Sequence, residues 1–249
     1  LLFLIRYVDE LPGSVDNLVT LCVDEMDADK LALRVQVESS LNRLESETLI
    51  ARNADRYFFL TNEERDIGRE IKNVRIHDGA EEKKLGQLLF EDVLRDKNKH
   101  HYQRTGKDFT LNRSCDGHPH GNQGEGNLEV AFLSPLNEEY PMLSTDEACV
   151  LGTTGDNAKV LIRLPGEGTV ARELRIYLQL ETYVSGRQSS TLADSTRRIL
   201  RDLSDQNRER RARLVSALKD DLAAADYFVS GTKQTFNGSD GEALGKAID

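Results

Sequence analysis

The sequence predicts an α+β protein: an N-terminal winged helix-turn-helix, a small β-containing domain, and long C-terminal helices. Three observations predict it. Three short apolar-periodic segments precede two β-prone runs around an Asn/Asp turn within the first 61 residues. Alternating apolar runs then recur through the middle of the chain. Beyond Asp194 an apolar seam with helical spacing runs past Leu222.

In order, residues 1–11 read as a helix stopped by Pro12-Gly13. Ser14 or Asp16 can cap a second helix to about Val23. Asp27 or Asp29 can cap a third, which carries Leu33, Val37, Leu41 and Leu44 on one face. Leu49-Ile50-Ala51-Arg52 and Arg56-Tyr57-Phe58-Phe59-Leu60-Thr61 form a hairpin, with Tyr57 and Phe59 inward and Phe58 outward. Thr61 and Glu64 make a capping box for a helix to Ile71. Residues 81–94 read as a further helix, and 96–104 as a polar stretch. Strands are expected at 109–111, 128–133 and 159–164, the last in a hairpin with 149–151. Helices are expected over 170–184, ended by Gly186, and from Asp194 or Ser195 past Leu222. The predicted domains are 1–76, 77–186 with a long Gly/His-rich loop at 112–127, and 187–249, basic then helical.

Composition narrows the function classes. The 249 residues carry a net charge of −10, 31% charged residues, 6% aromatics and no Trp. That argues against blanket coating of nucleic acid but leaves room for a local basic patch. Residues 187–219 are that patch, with nine basic side chains against four acidic. Three widely separated cysteines read as reduced thiols in a cytoplasmic protein. No apolar run approaches the roughly 18 residues of a membrane span. Leu1 opens inside an apolar run and Asp249 ends what reads as an unfinished helix, so the chain reads as a segment of a longer protein.

Candidate sites follow from charge and chemistry. On the winged module, Arg34 on the third helix and Arg52 and Arg56 on the wing could meet DNA or a partner. The third helix is not basic outside: Lys30, Arg34 and Arg43 face Asp29, Glu38, Glu45 and Glu47. This balance favours a packing or partner module over DNA reading. On the basic helix, Arg197, Arg201, Arg208 and Arg211 could hold phosphate or an acidic protein surface. Cys115, His118 and His120 are metal-ligand types, for which His100, His101 or Cys149 could supply a fourth ligand; the spacing fits no zinc motif, and a solvated loop is the simpler reading. The run from Leu18 to Glu25 imitates a Walker B strand, but no phosphate loop occurs in the chain and the run also fits the second helix. The glycines at 152–159 and 166–168 read as turns. No catalytic set and no cofactor site is expected within these residues.

Several strings resemble the BrxC family, the P-loop ATPase of the BREX phage-defence system. They are Tyr7-Val8-Asp9-Glu10-Leu11-Pro12, Leu41-Asn42-Arg43-Leu44, the run from Tyr57 to Ile67, Lys159-Val160-Leu161-Ile162-Arg163-Leu164-Pro165, Glu173-Leu174-Arg175-Ile176-Tyr177, and Arg198-Ile199-Leu200 with Asn207-Arg208-Glu209-Arg210. The resemblance weakens across 112–127 and the Gly-rich tail. It implies a segment that follows an AAA+-like nucleotide core, in an oligomeric cytoplasmic protein that works with other BREX proteins, a DNA methyltransferase among them. ATP and Mg²⁺ are expected for that parent protein. The segment is then expected to be an assembly and coupling module, with direct DNA binding and a 115–120 metal site as alternatives.

Overall fold

The computed structural model describes residues 1–6, 8, 10–125, 127–155, 158–166, 168–187, 192–236 and 242–249. The fold is mixed α+β, with ten α-helices and two sheets among the described residues. None of these helices is long and apolar enough to cross a membrane. Two compact units are present: Leu1–Val74 with Thr182–Gln206, and Arg75–Glu181 with Asn207–Asp249.

The first unit contains α1 (Leu2–Ile5), α2 (Val15–Leu21), α3 (Lys30–Ser46), β1 (Ile50–Asn53), β2 (Arg56–Phe59) and α4 (Asn62–Lys72). Ser14 caps α2 and Asp29 caps α3, its carboxylate accepting from the N–H groups of Leu31 and Ala32. Of the helix expected over 1–11, Leu2–Ile5 is helical among the described residues; positions 7 and 9 lie outside them. Tyr57 N–H donates to the Gly13 carbonyl and Ser14 bridges to Arg56, so the backbone ahead of α2 is drawn alongside β2. The first half of the Walker B-like run, Leu18–Leu21, lies in α2 as helix, and its Asp24-Glu25 pair lies in the connection that follows.

β1 and β2 pair antiparallel, with Ile50 opposite Phe59. Tyr57 is buried, Phe59 half-buried and Phe58 exposed, as alternation requires. Leu18, Leu41, Ile50 and Tyr57 form the core, with Val37 and Leu44 packed on it. The Thr61–Glu64 capping box opens α4. Arg6 clamps Glu64 with two hydrogen bonds (2.7 and 3.0 Å) and also donates to the Phe59 carbonyl. Tyr183 donates to Glu70 Oε2 at 2.6 Å, and burial together with that carboxylate pushes its phenol up to about 12.

The second unit opens with α5 (Ala80–Gln87), which runs into a π-helical turn, Leu88–Val93. Seven strands form its sheet: β3 (Lys99–Tyr102), β4 (Lys107–Cys115), β5 (His118–His120), β6 (Leu128–Leu133), β7 (Lys159–Arg163), β8 (Asp226–Val229) and β9 (Thr232–Gln234). The order is β3-β4-β6-β7-β8-β9, with β5 also on β4. β4, β6 and β7 are parallel neighbours; the other pairings are antiparallel. β6 is nearly continuous apolar sequence with Val130 to Leu133 all buried, as a central strand covered on both faces should be. Helices α6 (Tyr140–Leu143) and α7 (Asp146–Leu151) join β6 to β7. The first part of α8 (Val170–Gly186), the second part of α9 (Asp194–Ala223) and α10 (Glu242–Ile248) contribute to one core with the sheet.

Several expectations are corrected. Residues 113–120 are not loop. Asp116 and Gly117 both take positive φ, 50° and 79°, the two-residue turn that matches strand twist, and they fold β5 back on β4. Residues 149–151 are helical, not a strand paired with 159–164, because Thr145 caps α7 by accepting from Ala148 N–H. Residues 99–102, read as polar, form edge strand β3. Residues 226–234, read as part of a helical tail, are β8 and β9, turned by Ser230 and Gly231 at φ 49° and 73°.

Candidate functional site

Helix α3 and the hairpin place Arg34, Arg52 and Arg56 in the first unit. Arg34 is exposed but engaged: it pairs with Asp16 and, at 3.0 Å, with Glu38 one turn on. Hydrogen bonding to Asp16 raises its pKa, with Glu38 adding to the effect. Arg52 donates to the Ala54 carbonyl at 2.8 Å and its guanidinium lies 5.4 Å from the centre of the Tyr57 ring. Arg56 is exposed on β2, opposite Asn53. The outward face of α3 exposes Leu31 and Val35, and the preceding turn exposes Met26 fully.

The apolar face of α3 borders a groove of about 520 Å³. Leu18, Leu41 and Ile50 lie at its base, and Phe3, Leu33 and Phe59 contribute to its walls. The α3 stripe runs unbroken along one side because Leu33, Val37, Leu41 and Leu44 recur at helical spacing.

The basic helix α9 is shared between the units. Arg197 and Arg201 belong to the first, Arg208 and Arg211 to the second. Arg197 pairs with Asp194 at 2.9 Å and donates to the Leu192 carbonyl. Arg201 and Arg208 are exposed. Arg211 forks onto both oxygens of Asp92 at 2.7 and 2.8 Å. Arg210, not singled out from sequence, is 6% exposed and pairs with Glu173 at 3.0 Å. Burial lowers its pKa and Glu173 counters that shift. Asn207, also buried, donates to the Tyr177 carbonyl. The polar gap in the α9 seam is thus an internal ion pair and amide bond, a pattern hidden from a count of arginines.

The 115–120 segment gathers no metal-ligand set among the described residues. Cys115 and His118 face each other across the β4–β5 hairpin. Burial, with Asp116 beside it, pushes the Cys115 thiol far up, opposing the thiolate a metal needs. His120 stacks on Phe90 at 5.1 Å, and burial with the Arg113 charge pushes its pKa down. His100 pairs with Asp249, His101 with Asp108, and Cys149 donates to the Leu143 carbonyl. Among the described residues no group of three or more His, Cys, Asp or Glu is arranged to hold a metal ion. Asp116 instead ties the hairpin turn to the end of β6, accepting from Ser134 N–H at 2.8 Å and Ser134 Oγ at 2.6 Å.

A smaller cavity of about 80 Å³ lies past the carboxyl ends of β6 and β7, between Ser134-Pro135 and Val170 at the start of α8, with Asp221 on its rim. Of the Gly-rich turns, positions 156, 157 and 167 lie outside the described residues.

No solved structure matches the chain. A family model described as "BREX ATP-binding protein BrxC 4th domain with six-stranded beta sheet" matches residues 74–246, more than half of the chain. The matched stretch contains the path β3-β4-β6-β7-β8-β9, which has six strands. With that sheet and the family match together, the chain belongs to the BrxC family of BREX ATP-binding proteins.

Proposed function

We propose that this BREX segment is a non-catalytic assembly and coupling module, transmitting the nucleotide state of its parent protein to other BREX proteins in the cytoplasm. Its first unit is read as a winged helix-turn-helix used for protein contact. The observation that carries this is the outward face of α3. A helix that reads DNA presents unpaired basic and amide groups to phosphates and base edges. Here that face presents Leu31 and Val35, and its Arg34 is already paired with Asp16 and Glu38.

The test compares variants in the full-length protein. Leu31→Ser with Val35→Ser should abolish co-purification of the other BREX proteins while leaving the thermal melt unchanged. Arg34→Ala should retain them. Loss of specific DNA binding by a normally folded Arg34→Ala protein would instead favour the DNA reading, with Arg52 and Arg56 as its wing contacts.

A further inference from the structure

We infer that the cavity beyond β6 and β7 binds a small aliphatic amine in its ammonium form, alkyl chain inward and head group at Asp221. The inference is independent of the protein-contact reading, which concerns the first unit.

The cavity follows from the topology. β6 and β7 are parallel neighbours. The chain leaves β6 toward α6 and α7, where Cys149 packs with Leu133 and Phe228 on one face of the sheet. It leaves β7 toward α8, where Leu174 packs in the core that holds Phe132 and Ile162, on the other face. Connections that depart to opposite faces leave a crevice beyond the carboxyl ends of the two strands. Ser134 and Pro135 after β6, and Leu164 and Pro165 after β7, line it.

The lining selects the ligand. Leu85, Leu136, Leu164, Val170 and Leu218 make apolar walls. The Ser134 hydroxyl is spent, donating to Asp116 and accepting from Leu136 N–H, and the Leu164 carbonyl accepts from Tyr140. Water inside would therefore lack the two to four polar partners it needs. A volume of about 80 Å³ has room for roughly five to eight water-sized groups, the size of a short alkyl chain with one head group. Asp221 supplies the charge. It lines the cavity one turn beyond the fully buried Leu218, on the same side of α9. It is half-buried and, among the described residues, accepts no hydrogen bond and makes no ion pair. Burial, with Asp220 beside it, pushes its carboxyl up, the mark of a charge that lacks a counterion. An alkyl chain covers the apolar walls while its ammonium neutralises this carboxylate. The amino end of α8 also borders the cavity and by itself favours an anion, so an anionic probe is the rival.

The probes are n-butylammonium, 1-butanol and butyrate, titrated into the intact chain while the methyl resonances of Leu136, Leu164 and Val170 are followed by NMR. Butylammonium should shift them saturably and bind at least fivefold more tightly than 1-butanol, with butyrate weakest. Asp221→Asn should bring the amine to the level of the alcohol. Ala171→Leu, at an exposed position on the lining, should weaken both. Absence of a saturable shift, equal binding of amine and alcohol, tighter binding of butyrate, or amine binding unchanged in Asp221→Asn would each overturn the inference. The same two variants in the full-length protein separate the sources of the amine. Loss of other BREX proteins on purification would assign it to an amino group of a partner, and their retention to a free amine.

Discussion

At the scale of single residues, the buried Arg210–Glu173 pair illustrates what sequence conceals. Seven arginines from 197 to 213 look alike in a composition count, yet one of them, Arg210, is enclosed between helices. Its burial depends on which face of α9 meets α8, and that is settled by Leu214, Leu218 and Leu222. Glu173→Ala should cost about 3 kcal/mol in urea melts, the low end for a broken buried pair because Glu173 is a third exposed. Replacing both partners by Leu and Met should recover most of that loss. Glu64 gives a pH signature. Burial pushes its pKa up, but the Arg6 guanidinium and the Thr61 N–H and hydroxyl overcome this and hold it below the usual carboxylate range. The folded protein therefore binds this proton less readily than the unfolded chain. Its contribution is complete above the unfolded value of about 4.3 and is lost as pH falls through the folded one. Denaturation midpoints of the wild type should drop across that acid window, and Glu64→Gln should flatten the drop. Gly117 lies in the stretch read as a loop for its histidines and glycines, and with Asp116 it turns a hairpin. Gly117→Ala has open space around its Cβ but a φ of 79°, so it should cost about 1 kcal/mol from backbone strain alone.

At the scale of elements, α2, α3, the β1–β2 hairpin and α4 were legible because their caps and periodicity are local. Leu41 is 3% exposed in the middle of the α3 stripe, whereas Arg34 sits on the exposed side. Leu41→Ala should therefore cost about 2–5 kcal/mol, and Arg34→Ala under about 0.5, measured by thermal and urea melts of the same preparations. Elements whose identity depends on distant partners were read less well. His100 and Tyr102 look polar in isolation, yet β3 exists because β4 offers it an edge. Cys149-Val150-Leu151 has strand-like composition, and the Thr145 cap tips it to helix. Tyr227-Phe228-Val229 lies in the stretch read as helical, and it is a strand because the edge of β7 pairs with it. The candidate sites fared similarly: Arg34, Arg52 and Arg56 could be assigned to a unit from sequence, whereas the engagement of Arg34 by Asp16, eighteen positions earlier, could not.

At the scale of the molecule, the sheet sets the stability order. β6 and β7 have paired neighbours on both sides, and Phe132 and Ile162 stand opposite each other with almost no exposure. Amide exchange should be slowest in these two strands and fastest at β9, whose residues are all exposed. The same topology places a demand on synthesis. β7 is complete at Arg163, but the strand that covers its far edge begins at Asp226. At about 5–20 residues per second, a ribosome needs roughly 3–13 s to deliver that cover. During this interval Val160 and Ile162 border an open ladder of hydrogen-bonding groups in a crowded cell, the kind of edge that recruits other nascent chains. Chaperone dependence should accordingly rise when rare codons slow passage through 164–225, even though the finished protein is unchanged.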